Sequence, residues 1–155
     1  MASKKFTEAT QNLSKAAEIA IESFEKFPPK EYDLDSYKHI LYCCKERLFF
    51  INNPEPKYQN LRSLKYLEEE VFTWFKEGAG ENVEEFWKRI KEANLPFIRE
   101  NKMAKILKRK KINNYIEYDF VTDVIVPYQQ EGMITEEEVI LLNAYVWKFE
   151  NRKRK

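Results

Sequence analysis

Apolar residues at three-and-four spacing recur along this chain, broken at intervals by proline, glycine and asparagine. No other feature of the sequence constrains the fold as strongly. In the first stretch Phe6, Ala9, Leu13, Ala16, Ala17, Ala20, Phe24 and Phe27 line up on one side of a helix from about Thr7 to Phe27, because residues three and four apart share a helix face. Pro28 and Pro29 end it, since proline has no backbone N–H and its ring clashes with the preceding turn. A second helix starts near Asp35 or Ser36, either of which can cap it, and aligns Tyr37, Ile40, Leu41, Cys44, Leu48 and Ile51. Tyr42, Phe49 and Phe50 widen that face, which predicts a central helix, and Asn52-Asn53-Pro54 closes it.

The rhythm continues through the rest of the chain. A third helix covers about Asn60 to Glu77, striped by Leu61, Leu64, Leu67, Val71, Trp74 and Phe75, and Gly78 and Gly80 follow it. In a short fourth helix Asn82 is the expected cap, with Glu85 in the capping-box position and Val83, Phe86, Trp87 and Ile90 facing inward. The fifth, about Phe97 to Ile112, is strongly basic. Residues 115-126 carry enough β-formers for a short strand, yet Ile116, Phe120, Val121, Val124, Ile125 and Tyr128 share a helical face. Helix is the preferred reading over Asn114 to Gln130, kinked or ended near Pro127. Thr135 and Glu138 form a capping box for the seventh helix, in which Val139, Leu142, Val146 and Phe149 face the core.

The pattern predicts an all-α protein: one multi-helix bundle of six or seven helices, a single domain over residues 1-155 with a short basic tail at 152-155. With 43% hydrophobic and 15% aromatic residues the chain has ample material for a core. A stretch of ~20 apolar residues that could span a membrane is absent, and no apolar run follows the first Met. Two cysteines, Cys43 and Cys44, stand side by side, a poor arrangement for a disulfide on a helix. A reducing, cytoplasmic setting is therefore expected.

Catalytic chemistry finds little to work with. The single histidine, His39, removes metal sites that need several imidazoles, and no metal or cofactor is expected. It leaves a Cys–His pair, because His39 and Cys43 are one helical turn apart, or a phospho-accepting histidine. Both cysteines fall mid-helix among aromatics, where a structural role is the ordinary one. Only 3 glycines are present, with no Gly-x-Gly and no phosphate-binding loop. The runs Glu68-Glu69-Glu70 and Glu136-Glu137-Glu138 read as solvated faces, the second also suited to a helix start. Asp119 and Asp123, one turn apart beside Tyr118, are the less ordinary carboxylates: a polar binding face, or an unrecognised carboxylate site in an enzyme.

The densest local feature is basic. Arg99, Lys102, Lys105, Lys108, Arg109, Lys110 and Lys111 fall close together, and on one helix they would cover more than half its circumference. The charges nearly cancel over the chain, 27 basic against 26 acidic, so any pull on phosphates must come from this patch. Tyr145 and Trp147, with Tyr128, are read as an exposed aromatic contact surface, of the composition that interfaces enrich. Together these residues favour a protein–protein interaction module, an adaptor or immunity-type inhibitor acting through charged helical faces on another protein. The alternative is a nucleic-acid-associated protein gripping phosphates through a basic helix at 99-111. An enzyme is the least favoured class.

Overall fold

A computed structural model of the protein describes residues Ser3 to Arg152. Lys153, Arg154 and Lys155 of the expected basic tail lie outside the described residues. Seven α-helices are present among the described residues and no strand: α1 (Lys4–Lys26), α2 (Leu34–Asn52), α3 (Leu61–Glu77), α4 (Glu81–Glu92), α5 (Met103–Arg109), α6 (Tyr115–Gln130) and α7 (Glu136–Asn151). The all-helical expectation holds, and residues 115-126 are helical. The sequence shows no boundary inside the chain, whereas the packing of the structure gathers into two compact units, Met1–Ile98 and Arg99–Lys155.

In the first unit α1 is the central element and packs against α2, α3 and α4. Its stripe is buried as expected: Phe6, Leu13, Ala16, Ala17, Ala20 and Phe24 are all inaccessible. Ser3 starts the helix by accepting the N–H of Phe6. Ser23 is completely buried and donates its hydroxyl to the Ile19 carbonyl, so no polar atom of that side chain is orphaned. α3 and α4 meet through aromatic rings, with Phe75 stacked on Phe86 at 3.9 Å between centroids. Trp87 is buried and donates its indole N–H to the Phe75 carbonyl at 2.8 Å.

Three expectations for this unit are corrected. Neither Asp35 nor Ser36 caps α2, which begins at Leu34 with Asp33 as its cap, accepting the Ser36 N–H at 2.8 Å. α2 is not central: Ile51 is its only fully buried residue, and Tyr42 (65% exposed), Phe49 (59%) and Phe50 (49%) face outward. The two sets of apolar residues occupy different sides of the helix, and only the Tyr37–Ile40–Leu41–Cys44–Leu48 side packs on the core. Asn82 is not the cap of α4, which begins after Gly80 with no side-chain cap. Asn82 is buried instead, accepting the indole N–H of Trp74 and donating to the Phe27 carbonyl, each at 3.0 Å. It thereby ties the end of α1 to α3 and α4. Glu85, freed from any capping role, is buried and accepts from Lys26 and Arg89 at 3.2 and 3.0 Å.

The second unit contains α5, α6 and α7. Met103, Ile106, Ile112, Val121, Val124, Tyr128, Ile134, Leu142, Tyr145 and Phe149 are its buried residues. Its helix starts follow the expected chemistry. Asn114 accepts the N–H of Glu117 at the start of α6, and Thr135 with Glu138 makes the reciprocal capping box of α7. α6 runs through Pro127 to Gln130.

α5 is much shorter than expected. Tyr128 is buried, and its hydroxyl donates to the Glu100 carbonyl and accepts the Lys102 N–H. Asn101 donates to the Met133 carbonyl and accepts the Met103 N–H. These bonds satisfy the backbone before Met103 in a non-helical form. At the other end Lys110 takes a left-handed conformation with φ of 67°, which stops the helix.

Candidate functional site

The expected basic helix at 99-111 does not exist as one helix. Arg99 and Lys102 precede α5, and Lys110 and Lys111 follow it. Arg99 stacks its guanidinium 4.8 Å from the centroid of Tyr128. Arg109 is committed internally: one guanidinium nitrogen reaches both carboxylate oxygens of Glu117 at 2.7 Å, and its Nε donates to the Lys111 carbonyl. Glu117 also accepts the Asn113 N–H, so this pair fastens the turn between α5 and α6. Burial pushes the Glu117 carboxyl up, but the Arg109 and Asn113 hydrogen bonds outweigh it and hold the group below the ordinary carboxylate value. Lys105 and Lys108 remain exposed on α5.

The expected aromatic and acidic surface is divided in the same way. Tyr145 is buried at 8% exposure and Tyr128 at 1%, so neither can belong to an outer face. Both lie on the side of their helices that the core covers, a consequence of position on the turn that aromatic composition alone does not reveal. Tyr118 donates to Glu150 at 2.7 Å and stacks on Phe149. The Glu150 bond raises the Tyr118 phenol above its ordinary pKa, because the bond is lost when the hydroxyl ionises. Asp119 and Asp123 stand exposed on α6.

Trp147 is exposed as expected, at 64%. It has company that the sequence reading overlooked: Ile140 is 65% and Leu141 47% exposed on the same helix. Ile140, Ala144 and Trp147 are spaced four and three apart and form one outward stripe along α7. On α6, Ile116 (82%) and Val126 (57%) are also exposed. Both helices carry apolar residues on the buried and the outer side, and the signal that reveals this is the apolar run Val139-Ile140-Leu141-Leu142, too continuous for a one-sided helix.

The first unit contains a second candidate place, a cavity of about 650 Å³ between α1, α2 and α3. Ala17, Ala20 and Phe24 contribute from α1, Val71 and Phe75 from α3, and Ile40 from α2. The small side chains of Ala17 and Ala20 leave the space, since a larger residue at either would fill it. Two contacts bridge its walls. Arg47 of α2 meets Glu70 of α3 at 3.3 Å, and the Tyr32 and Trp74 rings approach to 5.8 Å. His39, Cys43 and Cys44 line the α2 wall, with Cys43 Sγ 3.5 Å from His39 Nε2. Burial pushes the Cys44 thiol up, only partly opposed by Arg47. The one-turn spacing of His39 and Cys43 foretold their contact, but not the cavity beside them.

No metal-holding cluster of three or more His, Cys, Asp or Glu residues occurs among the described residues, and no helix there is long and apolar enough to cross a membrane. Compared with family models, with curated proteins and with solved structures, the chain matches none.

Proposed function

We propose that the protein is an interaction module that binds another protein through the outer face of α7. The observation carrying this reading is the exposed stripe of Ile140, Ala144 and Trp147, widened by Leu141. Large apolar side chains grouped on a surface lose free energy to water at roughly 25 cal/mol per Å², and a partner that covers them recovers it. Trp is also the residue type most enriched where a few side chains dominate binding. The stripe is flanked by Glu136, Glu137 and Lys148 on the same helix, which gives it the polar rim that separates a docking face from an aggregating one. The charged faces that the sequence emphasised have a smaller role in this reading, because Arg109 and Glu117 satisfy each other. An adaptor or an immunity-type inhibitor working in the cytoplasm fits such a surface.

The test is a pull-down from source-cell lysate after nuclease treatment, washed at low and high salt, with the unaltered protein beside an Ile140→Glu/Trp147→Glu double variant. Far-UV circular dichroism establishes that the variant is folded. A protein retained at high salt by the unaltered chain and lost with the double variant supports the module. Retention that is indifferent to the double variant refutes the α7 face. Nucleic acid captured only at low salt and only without nuclease would instead favour phosphate binding by Lys105 and Lys108.

A further inference from the structure

The cavity between α1, α2 and α3 has the size and lining of a small-molecule site, and its reactive group is a thiol held against an imidazole. Sites of this kind run from ~300 to 1,000 Å³, mostly apolar with a few placed polar groups, and this one is about 650 Å³. Its walls are apolar at Ala17, Ala20, Phe24 and Val71. The polar groups on the α2 wall are His39, Cys43, Cys44 and Arg47; Arg47 is paired with Glu70 of α3, and Cys43 is in contact with His39 at 3.5 Å. The thiolate is the nucleophilic form of cysteine, and an imidazole within reach of the thiol is the group that generates it. Cys43 is half-buried and His39 exposed, so a thiolate–imidazolium pair formed there has access to water on the His39 side and to the apolar cavity on the other.

We propose that this cavity captures apolar α,β-unsaturated carbonyl compounds covalently, with Cys43 as the nucleophile and His39 as its base. His39 Nε2 takes the proton from Cys43 Sγ. The sulfur electron pair forms a bond to the β-carbon, and the π pair of the C=C bond moves toward the carbonyl as an enolate. The imidazolium returns the proton to the α-carbon, leaving a saturated thioether. No oxidant or reductant enters. The apolar walls concentrate a ligand whose body is hydrocarbon and disfavour a hydrophilic electrophile of equal reactivity. Cys44 is an internal control: it lines the same cavity but has no imidazole contact, and Arg47 stands beside it instead.

The experiment treats the full chain with benzylideneacetone, an apolar aromatic enone, and separately with acrylamide, its hydrophilic counterpart. Intact mass gives the rate, and peptide mapping separates Cys43 from Cys44. Glutathione measured with both reagents gives the ratio expected of a free thiol. Cys43 is expected to outpace Cys44 with the enone by about tenfold or more, and His39→Ala to slow it by at least about tenfold, the lower end of what a positioned base supplies. Its enone-to-acrylamide ratio should exceed that of glutathione. Excess benzylacetone, the saturated analogue that occupies the cavity without reacting, should slow the enone at Cys43. Equal rates at the two cysteines, or an unchanged rate in His39→Ala, would overturn the dyad. A glutathione-like reagent ratio with no protection by benzylacetone would overturn the cavity as the binding element.

Discussion

Asn82 shows how one buried amide can hold three helices. Its two bonds satisfy the indole N–H of Trp74 and the carbonyl of Phe27, and both partners lose their mate if the amide goes. Asn82→Leu is therefore expected to lower stability by about 1–3 kcal/mol despite its added apolar surface, because it strands two polar groups in the interior. Urea unfolding with a constant slope would measure this, and a neutral result would mean that the partners find water. Glu85 makes a different prediction. Burial raises its carboxyl, yet the bonds and charges of Lys26 and Arg89 prevail and hold it below the usual 4.5. A carboxylate depressed in the folded state adds stability that is fully present above its unfolded value and fades as pH falls from that value through the folded one. Glu117 acts with the same sign. Glu85→Gln should flatten part of the acid limb of stability against pH, and an unaltered limb would assign acid unfolding to other groups. Asn82 also marks a limit of sequence reading. An Asn three residues before a Glu satisfies the capping pattern, and nothing in the sequence tells that its amide is drawn inward by the indole of Trp74.

Helices were legible where local chemistry decides them and illegible where a distant partner does. Asn60, Asn114 and Thr135 cap α3, α6 and α7, each through a side chain and an N–H three residues on, and the cap at Thr135 is the one that the sequence predicts. Thr135→Ala should cost about 1 kcal/mol, the usual worth of such a cap, read as a lowered melting temperature. α5 is the contrary case. Its basic residues are good helix formers, but the Tyr128 hydroxyl and the Asn101 amide, not propensity, hold the backbone before Met103. The charge there divides by partner. Arg109→Ala breaks a charge-assisted pair with Glu117 and should destabilise by about 1.5–3 kcal/mol, whereas Lys108→Ala, at an exposed position, should stay within about 0.5 kcal/mol. Comparable losses for the two would place Arg109 among the ordinary surface cations. Reversing Lys105, Lys108 and Arg109 together would confuse a surface effect with a structural one, so the cleaner reversal is at the two lysines alone.

At the scale of the molecule the fold class follows from periodicity, while the division after Ile98 does not. The stretch from Leu95 to Lys102 has no Gly- or Ser-rich run, so composition conceals the change of unit. The outer face of α7 was hidden for a related reason. A helix apolar on every side gives the same composition as a helix buried on every side, and only packing reveals which residues are left outside. Near-cancellation of 27 basic and 26 acidic residues leaves little long-range field. Association through Ile140 and Trp147 is therefore expected to keep its affinity at high salt, whereas phosphate binding would weaken steeply. Titration at two ionic strengths distinguishes them.

The placement of the three tryptophans makes the protein its own optical instrument. Trp74 borders the cavity of the first unit, Trp87 is sealed in that unit's core at 5% exposure, and Trp147 stands in solvent. Iodide, which quenches only by collision, should extinguish the emission of Trp147 and spare that of Trp87. A partner covering α7 would then shrink the quenchable fraction. A ligand entering the cavity would disturb Trp74, and loss of the core would shift Trp87 to the red. Single-tryptophan variants separate the three signals, so occupancy of either surface and integrity of the fold can be followed by emission, without any attached dye.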